Sequence, residues 1–254
     1  MLPSSTNSSK CCFIHLKGIN EELEFQLHSM QIHSYDDLAN FIAQELDIGP
    51  TLPLKFKEYN LIQIEETKRA IDNKNWEYFS KKLLSREQYK LLPFSQNIAY
   101  VDIETTGLSK QFHYITTIGI YDGKESKVFV RGIDLEKAYD YLEQFDAIVT
   151  FNGKQFDLPF IQHFANRTYN FIHLDLRYLL KELGLSGGLK RIEKQLGLMR
   201  DETVKDIDGF EAIRLWKRYE RGDHEALELL KKYNIEDIEN LEILLNWCLE
   251  QKNR

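Results

Sequence analysis

A five-residue apolar run, Ala147-Ile-Val-Thr-Phe151, lies between two stretches of helical spacing, one from about Leu135 to Phe145 and one from about Leu158. Short runs of this kind form strands buried on both faces, and such strands belong to sheets whose crossovers are helices. Upstream, Ile98–Ile103, Tyr114–Tyr121 and Lys127–Arg131 read as strands, with Asp122-Gly123 as the hairpin turn between the last two. These three predict an antiparallel meander. Helix, buried strand, helix and the strand-like Phe171–Leu176 follow, and then almost continuous helix. The order predicts an α/β fold with a mixed sheet flanked by helices.

The first strand of that sheet ends abruptly in polar residues, Asp102-Ile-Glu-Thr-Thr-Gly107. Asp102 and Glu104 are two apart on a strand and therefore share a face. Two carboxylates side by side at the end of an apolar strand repel each other, and burying them unpaired is costly. A hard divalent cation with oxygen ligands relieves both costs; a pair of solvated strand-end acids is the plain alternative. Asp157 follows the buried strand and opens a helix, where it serves equally as an N-cap. Tyr233 and Asp237 are four apart in a helix beginning near Asp223, and Leu230 and Leu241 extend their face toward the core. An aspartate on an apolar helix face needs a partner, and a lysine tie is the simplest alternative to a metal.

Bulk properties exclude several classes. The 254 residues are 43% hydrophobic and 29% charged, as in soluble globular proteins. A net charge of -7 argues against non-specific coating of nucleic acid. Three cysteines (Cys11, Cys12, Cys248) make neither a disulfide framework nor a zinc pattern, which fits a reducing cytoplasm. Seven scattered histidines offer no metal-ligand spacing near the acids, so zinc is not expected. No run approaches a membrane span, and the first residues lack the pattern of a signal peptide.

Residues 1–10 are rich in Ser and Asn and are expected to be disordered. Residues 11–95 predict a helical accessory region, and 96–254 carry the mixed sheet. Within 13–46, a Gly18-Ile-Asn20 turn precedes a helical pattern, and Ser34 with Asp37 starts a second helix as a capping-box pair. This stretch resembles a helix-hairpin-helix module, whose backbone N–H groups hold a DNA phosphate. Asn20 replaces the module's second hairpin glycine and is expected to take a left-handed conformation. A helical lead-in packed on the main domain is the alternative. Helices are also expected over Ile62–Asn73 and Trp76–Leu84, with a short one from Ser85 or Arg86 that Pro93 closes.

Taken in order, Asp102-x-Glu104, Asn152-x-x-x-Phe156-Asp157 and Tyr233-x-x-x-Asp237 resemble the motifs of the DEDD superfamily of 3′→5′ exonucleases, in its tyrosine-bearing subclass. The histidine-bearing subclass needs a histidine where this chain has Lys232. A narrower resemblance is to the YprB-type ribonuclease H-like domain. It rests on Ala99-Tyr-Val-Asp-Ile-Glu-Thr-Thr-Gly107, Thr150-Phe-Asn-Gly-Lys-Gln-Phe-Asp157 and Leu189-Lys-Arg-Ile-Glu-Lys-Gln-Leu-Gly197. The likeness covers roughly residues 97–250 and implies a ribonuclease H-like fold.

The resemblance also implies a chemistry. Asp102, Glu104, Asp157 and Asp237 would hold two divalent ions, Mg²⁺ or Mn²⁺, about 3.5–4 Å apart. Asp102 bridges them, Glu104 and Asp237 complete one site, Asp157 serves the other, and Tyr233 orients the attacking water. The expected activity is 3′→5′ exonucleolytic hydrolysis at single-stranded DNA or RNA ends, with only the hairpin-like module leaning toward DNA. Thr105, Thr106, Gly107 and Leu108 would line the terminal nucleotide's site, with Asn152 and Phe156 bordering the cleft. Two glycines before Lys190 and Arg191 suit an anion-binding helix start; a solvated helix face accounts for them equally. A catalytically silent nucleic-acid-binding domain and a structure-specific endonuclease are the competing readings, and no protein partner follows from the sequence. Asp175, at a strand end, is expected to be a cap or structural acid.

Overall fold

The computed structural model describes residues 11–49 and 51–252; residues 1–10, expected to be disordered, lie outside the described residues. The chain divides into two compact units, the first reaching to Ser95 and taking in Asn170–Ile172, the second made of Gln96–Tyr169 and the chain from His173.

The first unit is helical. It contains α1 (Glu21–Ser29), α2 (Tyr35–Ile48), α3 (Lys57–Asp72), α4 (Trp76–Ser80) and a 3-10 helix over Ser85–Phe94. Its core gathers Phe13, Leu16, Leu27, Leu38, Ile42 and Ile64. The Ser34–Asp37 capping box forms in both directions. Asn20 departs from expectation: its backbone is extended (φ -104°), and its side chain caps α1 by accepting the Leu23 N–H at 2.9 Å. Capping requires an extended backbone, so the left-handed turn falls on Gly18 instead (φ 82°). Helix α4 stops at Ser80 rather than Leu84, because Leu84 takes extended backbone (φ -62°, ψ 151°) to enter the 3-10 helix. Pro93 lies inside that helix instead of closing it; its fixed φ suits 3-10 geometry.

In the second unit, five strands among the described residues form one mixed sheet in the order β3-β2-β1-β4-β5. They are β1 (Ile98–Thr105), β2 (Ile115–Tyr121), β3 (Ser126–Val130), β4 (Ala147–Thr150) and β5 (Ile172–Asp175). β1 pairs antiparallel with β2 and parallel with β4, so the meander and the buried strand meet at β1. All four residues of β4 are buried, as the apolar run requires. The helices are α5 (Leu135–Tyr141), α6 (Asp157–Ala165), α7 (Leu176–Glu182), α8 (Leu189–Gln195), α9 (Gly209–Tyr219) and α10 (His224–Lys252). Together these elements make a ribonuclease H-like fold.

Two differences from expectation bear on the site. β1 runs past Ile103 through Thr105, which puts Glu104 in the strand. The C-terminal part is not almost continuous helix, because residues 196–208 are irregular. Gly197 (φ 75°) ends α8, and Val204 and Ile207 sink into the core formed by α9 and α10. The segment is therefore anchored by its own apolar residues. Among the described residues, no helix is long and apolar enough to cross a membrane.

Candidate active site

β1 supplies the first two acids and β2 makes room for them. Asp102 stands opposite Gly119, and Glu104 opposite Thr117. The register then shifts between Glu104 and Thr105, a bulge that bends the strand just where it leaves the sheet. Helix α10 packs against β1 and β2. Its buried face carries Tyr233, Asn234 and Asp237 in one turn. Carboxylate oxygens of Asp102, Glu104 and Asp237 all lie within 4.8 Å of one another. Asp157, the first residue of α6, comes to the same strand from its other side, where its Oδ1 accepts the Ile103 N–H at 3.2 Å. It is not a member of the 4.8 Å group.

Crowding of charge marks the cluster. Burial first, and then Asp237 and Asp157, push the Asp102 carboxyl well above the usual carboxylate range; the same causes act on Glu104. Burial raises Asp157 to about 7 against the pull of the backbone N–H groups at Asp157 and Ile103. Asp237 is raised by burial to about 6, with Arg200 holding it down. Such shifts follow when carboxylates are desolvated together. A divalent cation fits this donor set: the ligands are all oxygen, their atoms are close enough to share one ion, and their charge lacks full compensation.

Asn234 is fully buried and donates from Nδ2 to Asp102 Oδ2 at 2.8 Å. Gly119 makes this contact possible, since a Cβ there would stand 2.7 Å from Asn234 Oδ1. Glycine in a strand interior often marks such a close approach. In the sequence Gly119 signals such an approach, while its partner, Asn234, is identified only by the fold. Gly119→Ala is expected to displace Asn234 and destabilise the protein by about 1–3 kcal/mol, measured by urea unfolding; an unchanged midpoint would contradict this packing.

The sequence motifs gave no sign of Arg200, in the irregular segment after α8. Its guanidinium grips Glu193 in a fork, Nε to Oε2 and Nη2 to Oε1, each at 2.7 Å, and Nη2 also reaches Asp237 Oδ1 at 2.5 Å. The side chains of Arg200, Glu193 and Asp237 are at most 5% exposed. The partner Asp237 requires is thus an arginine and not a nearby lysine. The Asp201 N–H bonds Glu236 at 2.8 Å and Lys232 pairs with Asp201 at 2.9 Å, which pins the segment to α10.

The residues expected to contact substrate lie at the end of β1 and the loop after it, on the turn between β4 and α6, and on α8. Thr105 Oγ1 donates to the Gly107 carbonyl at 2.7 Å, and the Thr106 N–H to the Tyr114 carbonyl at 3.0 Å, closing the loop after β1. Gly107 touches the His113 ring so closely that a Cβ would meet it at 2.6 Å. Leu108 is 86% exposed. Asn152 is left-handed (φ 66°); its N–H donates to Asp175 at 2.8 Å, and Arg177 donates to its side-chain oxygen. Asp175 is a cap, accepting also from the Lys154 and Arg177 N–H groups. Phe156 is half-buried, its ring 4.9 Å from that of Phe160. Lys190 Nζ lies 5.0 Å from the Tyr233 ring centroid. Arg191 is exposed, with its stem over Gly187.

Sheet order and acid placement define a ribonuclease H-like protein. The RNase_H_2 model of the RNase_H superfamily matches residues 99–249, and the chain belongs to that family. No curated protein matches it. Among solved structures it is similar to a family B DNA polymerase from the hyperthermophilic archaeon Pyrobaculum calidifontis, at 16% identity and a TM-score of 0.48. That match covers 61% of this chain and 24% of the polymerase, so the chain spans about a quarter of it. It is also similar to Brucella melitensis NrnC bound to pGG, at 19% identity and a TM-score of 0.45, over 62% of this chain and 75% of the other. A third structure, described as the apo form of the nuclease, matches at 14% identity and a TM-score of 0.44, over 68% and 80% of the two chains.

Proposed function

We propose that the protein is a metal-dependent 3′→5′ exonuclease of the tyrosine-bearing DEDD type, hydrolysing phosphodiester bonds at single-stranded nucleic-acid ends. The observation that carries this reading is the meeting of Asp102, Glu104 and Asp237 oxygens within 4.8 Å, with Tyr233 one helical turn from Asp237. Family membership supports a nuclease more generally. Asp102, Glu104 and Asp237 would hold one divalent ion, and Asp157 with Asp102 a second. Bound there, such ions acidify water and offset charge on the phosphate oxygens.

The chain's own residues do the rest. Asn234 orients Asp102 through its 2.8 Å bond. Tyr233, buried on α10, keeps its proton because burial and the neighbouring acids push its pKa up. It is thus a hydrogen-bond donor and acceptor that positions the attacking water. Leu108, exposed at the mouth of the loop after β1, offers an apolar surface to a terminal base. Lys190 adds a positive charge beside Tyr233.

The test is a time course with 5′-labelled single-stranded DNA and RNA of one sequence in Mg²⁺, Mn²⁺ and EDTA. A metal-dependent ladder shortening from the 3′ end is expected, and it identifies the sugar. Discrete internal cuts would replace the reading with an endonuclease; binding without cleavage would replace it with a silent domain. Tyr233→Phe is expected to remain active but slowed by up to about a hundredfold, as a loss of water positioning requires. Single-turnover rates decide this, and an undiminished rate would remove Tyr233 from the mechanism.

A further inference from the structure

Arg200 touches the cluster without belonging to any of the sequence motifs. Its contacts form a relay: Asn240 Nδ2 donates to Glu193 Oε1 at 3.0 Å, Glu193 takes the guanidinium fork, and Arg200 Nη2 ends on Asp237 Oδ1. Two features separate this from an ordinary ion pair. Glu193 already satisfies the fork, so the bond to Asp237 is extra and constrains only one of that carboxylate's oxygens. The guanidinium also lies 5.6 Å from the Tyr233 ring centroid, so one group abuts both cluster residues of α10.

Resting on the function proposed above, we infer that Arg200 is a positioning residue. It holds Asp237 through Oδ1 and so fixes the orientation in which that carboxylate meets Asp102 and Glu104, while Glu193 and Asn240 hold the guanidinium in register. Charge alone works the other way, since a cation beside the cluster competes with metal. The geometric and the competitive roles therefore predict opposite effects on metal affinity. Arginine suits the geometric role because its planar fork serves two carboxylates at fixed angles, which the point charge of lysine does not.

The experiment is calorimetric titration of Mn²⁺ into the metal-free full chain, wild type and variants, with circular dichroism confirming folding. Arg200→Lys retains the charge and removes the fork. Its Mn²⁺ Kd is expected to rise about 10–100-fold, the usual cost of losing a group that orients a metal ligand. Oligonucleotide turnover should show kcat falling with little change in KM. A folded Arg200→Lys with wild-type Mn²⁺ affinity would reduce Arg200 to a structural ion pair. Tighter Mn²⁺ binding by Arg200→Gln would make it a competitor and overturn the inference. If neither folds, Asn240→Leu removes only the far end of the relay and should raise the Kd by about threefold or more; an unchanged Kd there also overturns it. Wild-type protein that binds no Mn²⁺ would defeat the metal reading itself, an outcome distinct from any difference between variants.

Discussion

Asp102→Ala is expected to lower hydrolysis at least about a thousandfold, a loss of about 4 kcal/mol of transition-state stabilisation. Asp102 is the acid with the most claims on it. It faces Glu104 and Asp237 in the cluster and receives the Asn234 amide. Removing its side chain leaves Glu104 on β1 and Asp237 on α10 without the oxygen that lies with both. The fold should survive, since among the described residues Asp102 holds no ion pair, and its pairing with β2 is through the backbone. The decisive measurement is single-turnover cleavage at saturating Mn²⁺ beside a thermal melt. Residual metal-dependent activity near wild type in a folded Asp102→Ala protein would end the proposed mechanism.

The second large effect is on stability. Burial raises Asp157 to about 7 and Asp237 to about 6, and pushes Asp102 and Glu104 well above the usual carboxylate range, against about 4 in the unfolded chain. In that window the native state binds more protons than the unfolded state. These acids therefore contribute stability below pH 4 that is lost as pH rises through their native pKa values. Buried His15 and His173, both lowered to about 3 by burial, bend the curve the other way below pH 6.5. The clean readout is accordingly a difference. Metal-free Asp102→Asn should exceed metal-free wild type in stability by about 1–3 kcal/mol at pH 8, and the gap should close toward pH 5. Differential scanning fluorimetry in EDTA and in Mn²⁺ would show it. Mn²⁺ should raise the wild-type Tm most at pH 8 and do much less for the variant. A pH-independent gap would mean that the carboxylates are not mutually strained.

The parts of this arrangement legible in the sequence were those governed by local periodicity. Asp102 and Glu104 share a face because strands alternate, and Tyr233 and Asp237 share one because helices turn in 3.6 residues. The buried strand Ala147–Thr150 declared itself by its unbroken apolar run. Arg200 was not legible, because irregular backbone imposes no period and its partner Glu193 sits among Lys190, Arg191 and Lys194 on what reads as a solvated helix. Glu193 is in fact 2% exposed. Asn20 departs from its expected conformation for a related reason: its backbone is set by the helix it caps, and the turn before it is served by Gly18.

The bond between Asn234 and Asp102 joins residues 132 apart in the chain. Every strand of the sheet precedes α10 in synthesis order. At about 5–20 residues per second, roughly 7–26 s separate the emergence of the two. A ribosome-bound chain with its whole sheet made still lacks Tyr233 and Asp237, and so has half a centre. The proposed centre is therefore complete only once α10 has been made and has packed against β1 and β2, which ties its assembly to the last step of folding.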